Sequence, residues 1–142
     1  MRTNGFPEAS ILAKGGPPGQ DPAKWLTALA VTARPNTEDM LVIGFGGGVA
    51  LEGVPPSVDR IDVVELEPKV IAANRQLEGT RNVDPLEDPR FNIVINDARN
   101  ALRLTAKKYD AIISQPSHPW TLGASHLSSQ SGVGRLGLRG CA

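Results

Sequence analysis

The sequence predicts an α/β fold built on a parallel sheet, and three observations carry that reading. Apolar runs rich in β-branched residues alternate with segments of helical periodicity between Asp21 and Ser114. The first such run, Met40-Leu41-Val42-Ile43, breaks directly into Gly44-Phe45-Gly46-Gly47-Gly48. Polar residues, Glu65, Asp97 and Gln115, stand where the later runs end.

Taken in order, the elements justify themselves by local chemistry. Residues 1 to 20 hold the turn pair Asn4-Gly5, with no strand expected on its N-terminal side, and then the flexible Gly15-Gly16-Pro17-Pro18-Gly19. Asp21-Pro22 is an N-cap followed by proline in the first turn. It opens a helix through Trp25, Leu26, Leu29 and Ala33 that Arg34-Pro35 ends. Trp25, Leu29 and Thr32 share one face, expected to contact the core. Leu41 to Ile43 suits a strand buried on both faces. Gly44 permits the sharp exit from it, Gly46 lets backbone approach a ligand, and Gly48 lets the following short helix pack on the sheet. After Pro55-Pro56-Ser57, Ile61 to Glu65 forms a second strand. Glu65 lies 17 residues beyond Gly48, where a carboxylate can accept hydrogen bonds from both hydroxyls of a ribose.

Pro68 starts a helix carrying Val70, Ile71, Asn74 and Leu77 at helical spacing, and Glu67 before it favours the positive end of that helix. Pro85 to Arg90 is a polar connection into the strand Phe91 to Ile95, which ends at Asn96-Asp97. Asp97 either caps the helix expected over Ala98 to Ala106 or meets the ligand, or does both. That helix turns Ala101, Leu102 and Thr105 inward. A fourth strand, Tyr109 to Ser114, runs into Gln115-Pro116-Ser117-His118-Pro119-Trp120. Ligands of such a sheet bind at the carboxyl ends of its strands.

Composition bounds the reading. A chain of 142 residues, 40% hydrophobic and 21% charged, holds one domain with its own core. Fifteen basic residues balance fifteen acidic ones, so no net charge draws the chain to nucleic acid or an anionic membrane. Cys141 has no partner for a disulfide, and no apolar run has the ~20 residues of a membrane span, so a cytoplasmic protein is expected. His118 and His126 lack the companions of a metal site. Glycine and proline, 15 and 12 in all, concentrate at the two ends. This divides the chain into a flexible segment 1–20, a nucleoside-binding domain 21–127 and a divergent, disordered tail 128–142.

Four motifs in this order resemble a known family. Leu41 to Gly48, Val63-Val64-Glu65-Leu66-Glu67-Pro68, Asn96-Asp97-Ala98-Arg99 and Ser114-Gln115-Pro116-Ser117-His118-Pro119-Trp120 are similar to the spermidine synthase-like polyamine aminopropyltransferases. These belong to the class I S-adenosylmethionine-dependent transferase superfamily. The resemblance implies a Rossmann-like sheet of the class I methyltransferase type, incomplete at about four strands with the later ones missing, in a truncated member. It implies S-adenosylmethionine or its decarboxylated form as co-substrate and a small-molecule amine as acceptor, and it allows a homodimer. Gly44, Gly46 and Gly48 would line the amino-acid and sulfonium part of the nucleoside, Glu65 would hold the ribose, and Asp97 with Ala98 would meet the adenine.

The sequence also departs from the family pattern. Spermidine synthases end the fourth strand in two aspartates, the first of which positions and deprotonates the attacking amine; here those positions hold Gln115 and His118. An amide cannot take a proton, whereas imidazole can near neutral pH. The family's N-terminal hairpin domain is reduced to a Thr3-Asn4-Gly5 remnant, and the tail from Ser128 has no apolar period. The readings left open are an aminopropyltransferase, a methyltransferase with the same glycine loop, and an inactive nucleoside-binding fragment.

Overall fold

The computed structural model describes residues 2–3, 6–7, 11, 13–16 and 21–114. Strands β1 (Arg2–Thr3) and β2 (Phe6–Pro7) pair antiparallel, with Thr3 opposite Phe6. This corrects the expectation that no strand precedes Asn4-Gly5. Two residues suffice to pair across such a dipeptide, and they are too few to show an alternating pattern in sequence. Part of the Gly/Pro segment is also anchored: Ala13 bridges Arg81, Lys14 N–H donates to the Thr80 carbonyl at 2.7 Å, and Gly15 N–H donates to Asn82 Oδ1 at 3.0 Å.

Helix α1 (Pro22–Ala33) starts where Asp21 accepts a hydrogen bond from Ala23 N–H at 2.9 Å. Its orientation differs from the sequence reading. Trp25 and Leu29 are 59% and 58% exposed, Thr32 is exposed too, and the buried positions are Ala23, Thr27 and Val31. The cause is close approach. A Cβ on Gly53 would overlap the Lys24 carbonyl oxygen and lie 2.8 Å from the Lys24 Cα, so only small side chains fit between α1 and that turn. Thr27 Oγ1 fastens the contact by donating to the Ala50 carbonyl at 2.8 Å. An indole has no room there.

Four parallel strands follow: β3 (Asp39–Ile43), β4 (Arg60–Glu65), β5 (Phe91–Ile95) and β6 (Ala111–Ser114), ordered β5-β4-β3-β6. Met40, Leu41 and Val42 in β3 are at most 2% exposed, as a strand covered on both faces requires. Between the strands run α2 (Pro68–Arg75) and α3 (Ala98–Leu104). Val31 of α1, Leu51 and Ile71 of α2 pack on one face with Met40, Val42, Ile61 and Val63. Ala98 of α3 packs on the other with Leu41, Val64 and Tyr109. The split follows from handedness: β3 to β5 steps outward, and the return to β6 crosses back, so right-handed crossovers place α3 on the opposite face.

Strand β6 begins two residues later than the apolar run suggests, because Tyr109 and Asp110 have polar work to do. Asp110 accepts from Glu38 N–H and Asp39 N–H, both at 3.1 Å, which pins the start of β3. Tyr109 Oη donates to Asp62 Oδ2 at 2.7 Å. Lys107 Nζ (2.8 Å) reaches the same carboxylate oxygen, and Asn92 Nδ2 (2.7 Å) reaches Oδ1. Burial alone would raise the Asp62 pKa, but these hydrogen bonds and the Lys107 charge outweigh it and hold the carboxyl below its ordinary 3.8. Burial and the bond to Asp62 push the Tyr109 phenol up from 10.0. A depressed carboxyl contributes stability that is complete above the unfolded pKa and is lost as pH falls toward the folded one. Asp62→Asn is therefore expected to lower stability at neutral pH and to flatten the acid limb of the stability profile below about pH 4. Chemical denaturation across pH measures it, and a limb as steep as in the parent chain would remove Asp62 as its source.

Candidate nucleoside site

Sheet register brings the candidate residues to one edge. Ile43 lies opposite both Val64 and Ser114, and Glu65 lies opposite Ile95, so Gly44, Glu65, Asn96 and Ser114 end their strands at nearly one level. Two further ladder bonds, Gly44 N–H to the Val64 carbonyl (2.8 Å) and Asn96 N–H to the Glu65 carbonyl (3.0 Å), tie these ends together. Connections leave β3 in one direction and reach β6 from it, which makes the gap above them the switch point where ligands of open α/β sheets bind.

The glycine loop has the backbone its composition demands. Gly44, Gly46 and Gly48 adopt φ of 90°, 55° and 76°, a region costly for side-chain-bearing residues. Among the described residues, added Cβ atoms at Gly44 or Gly46 would meet nothing within 4 Å, so these residues leave space for a ligand in front of the two glycines. Gly48 differs: its Cβ would lie 3.1 Å from both Arg81 Nη2 and Pro85 Cγ. The sequence reading gave Gly48 a tight helix–sheet contact. Instead the chain makes only a three-residue 3-10 turn, Leu51–Gly53, and Gly48 packs on Arg81 and Pro85.

Glu65, 8% exposed, aims its carboxylate at that loop. Oε2 accepts from Phe45 N–H at 2.8 Å and Gly46 N–H at 3.4 Å, and Oε1 accepts from Glu67 N–H at 2.9 Å. An ionised carboxylate has about four acceptor positions, so capacity remains for a ligand hydroxyl beside these bonds. Glu67 is the N-cap of α2, accepting from Lys69 N–H at 3.0 Å. Asp97 caps α3 through Oδ1, which accepts from Arg99 and Asn100 N–H groups at 2.8 and 3.2 Å. Ala98, buried, begins that helix. Gln115 and His118 lie outside the described residues. Among the described residues no group of three or more His, Cys, Asp or Glu could hold a metal ion, and no helix is long and apolar enough to cross a membrane.

Sequence reasoning missed the layer beneath the loop. Asn74, which falls on the apolar spacing of α2, donates through Nδ2 to the Gly46 carbonyl and the Val70 carbonyl, both at 2.8 Å. Arg81 Nη2 donates to the Gly47 carbonyl at 2.7 Å and to Glu52 Oε1 at 3.0 Å. A polar side chain on the buried stripe of a helix is the signal that could have found Asn74. Arg81 stands in the connection after α2, at an isolated bridge to Ala13, and gave none.

A model of the spermine/spermidine synthase domain matches residues 23–131. The chain belongs to that family. A curated member, the polyamine aminopropyltransferase of Escherichia fergusonii, is 33% identical over 106 residues, 73% of this chain and 37% of the relative. Among solved structures, spermidine synthase from Thermotoga maritima is 30% identical with a TM-score of 0.58, over 65% of this chain and 33% of that one. A spermidine synthase in complex with the transition state analogue AdoDATO is 29% identical with a TM-score of 0.65, over 76% of this chain and 37% of that one. The chain thus spans about 37% of the length of the curated relative. Over the matched part, this chain and that spermidine synthase share one α/β fold.

Proposed function

We propose that this chain supplies the nucleoside-binding part of an aminopropyltransferase, holding decarboxylated S-adenosylmethionine at the glycine loop for transfer of its aminopropyl group to an amine. One observation carries the reading: the buried Glu65 carboxylate at the end of β4 faces a loop whose Gly44 and Gly46 are left clear by the other described residues. In this proposal Glu65 accepts from a ribose hydroxyl at its remaining acceptor position, the loop lies along the sulfonium side, and Asp97 and Ala98 border the adenine. His118 takes the proton that the acceptor amine must lose, because the neighbouring Gln115 cannot. The curated relative is a polyamine aminopropyltransferase, which favours aminopropyl over methyl transfer.

Calorimetric titration with decarboxylated S-adenosylmethionine, followed by product analysis with an amine present, tests the proposal. Methylthioadenosine is the expected product; S-adenosylhomocysteine from S-adenosylmethionine would assign a methyltransferase instead. Glu65→Ala is expected to weaken nucleoside binding at least tenfold, since hydrogen bonds to a charged group contribute about 1.5 to 3 kcal/mol. An unchanged dissociation constant would remove Glu65 from the ribose.

A further inference from the structure

The buried arginine beneath the glycine loop has no place in the chemistry above. The Arg81 side chain is 1% exposed, a costly position for a guanidinium unless its donors are satisfied. Nη1 donates to Asn74 Oδ1 at 3.2 Å, and Nη2 donates to the Gly47 carbonyl and Glu52 Oε1. The other Glu52 oxygen binds Lys24 Nζ at 2.7 Å, and Arg81 Nε is buried without a partner. A fold seeking stability alone gains little from such a group, because an apolar residue of similar volume is often as stabilising. What the group does achieve is directional. Asn74 and Arg81 turn the consecutive carbonyls of Gly46 and Gly47 inward. The peptides here are trans, so an inward Gly46 carbonyl directs the Gly47 N–H the opposite way.

We propose that Arg81 is a positioning residue for the nucleoside site: through Asn74 it holds the Gly46 carbonyl inward and so the Gly47 N–H toward a ligand. Its own bond to the Gly47 carbonyl braces the adjoining turn, whose Gly48 N–H donates to the Phe45 carbonyl at 2.8 Å. Arg81 acts on the ligand through the loop and does not touch it. The proposal rests on the nucleoside reading above, and it adds a link: Arg81 also bridges Ala13, so the segment 13–16 and the loop share one anchor.

The test uses the full chain with two variants and two readouts. Arg81→Lys keeps the charge but cannot serve Asn74, Gly47 and Glu52 together. The pair R81M/E52Q removes both charges of the ion pair at once. The ligand-independent readout is the set of Gly46, Gly47 and Gly48 amide resonances and their hydrogen exchange. The second is affinity for methylthioadenosine by titration. Arg81→Lys is expected to shift those amides and speed their exchange, to weaken methylthioadenosine at least about tenfold, and to leave the unfolding midpoint within a few degrees of the parent. Unmoved amides, or unchanged affinity in a folded variant, overturn the proposal. So does failure of both variants to fold, for Arg81 would then be a core residue only. If the parent chain binds no methylthioadenosine, the nucleoside reading fails by itself, and the amide readout still decides whether Arg81 orders the loop.

Discussion

Gly46→Val is expected to abolish nucleoside binding in a chain that remains folded. Its Cβ would meet no atom of the described residues within 4 Å, so the new side chain points into space that they leave free. The cost is backbone: at φ of 55° a side chain adds about 1–2 kcal/mol of strain, against a typical total stability of about 5–15 kcal/mol. The isopropyl group then occupies the open space in front of the loop, and a ligand there cannot share it. Circular dichroism should match the parent while titration heat vanishes. Normal binding by Gly46→Val would show that the ligand does not lie along this loop.

Gly53→Ala is expected to do the reverse and damage the fold. Gly53 has no positive φ, so its backbone would accept alanine and even gain slightly from a stiffer unfolded chain. The obstacle is Lys24, whose carbonyl carbon and Cα would both lie 2.8 Å from the new methyl, with its oxygen overlapping it. Backbone cannot rotate away as a side chain can. Helix α1 must shift outward, breaking the bond from Thr27 to Ala50 and loosening Val31 in the core. Overpacking costs about 1–3 kcal/mol, and a clash with backbone belongs at the upper end of that range. Urea denaturation reads it as a lowered midpoint; an undiminished midpoint would mean that α1 does not rest on this turn.

The two glycines also show what was legible in the sequence. Gly46 belonged to a motif with a strand before it and an acid beyond, so periodicity and spacing sufficed. The parallel strands, the caps Asp21 and Asp97, and Glu65 at its strand end were accessible in the same way, because each depends on neighbours a few residues off; the strand order was not. Gly53 was not, since its constraint is set by Lys24, far away in sequence. Trp25 and Leu29 misled for the same reason: apolar size suggested an inward face, but close approach selected Ala23 and Thr27 instead. Arg81 and Asn74 became meaningful only when their partners proved to be carbonyls of the loop.

The register of β3 also sets an order of assembly. Met40 pairs with Ile61, 21 residues away, and with Ala111, 71 residues away. Closing the longer span costs about 1 kcal/mol more in chain entropy, and synthesis delivers β6 long after β4. The unit from β3 to β5 can therefore form while the last strand is still being made, with the Leu41–Ile43 backbone open along one side. For that interval the central strand of the finished sheet is its edge, and the arrival of β6 closes it.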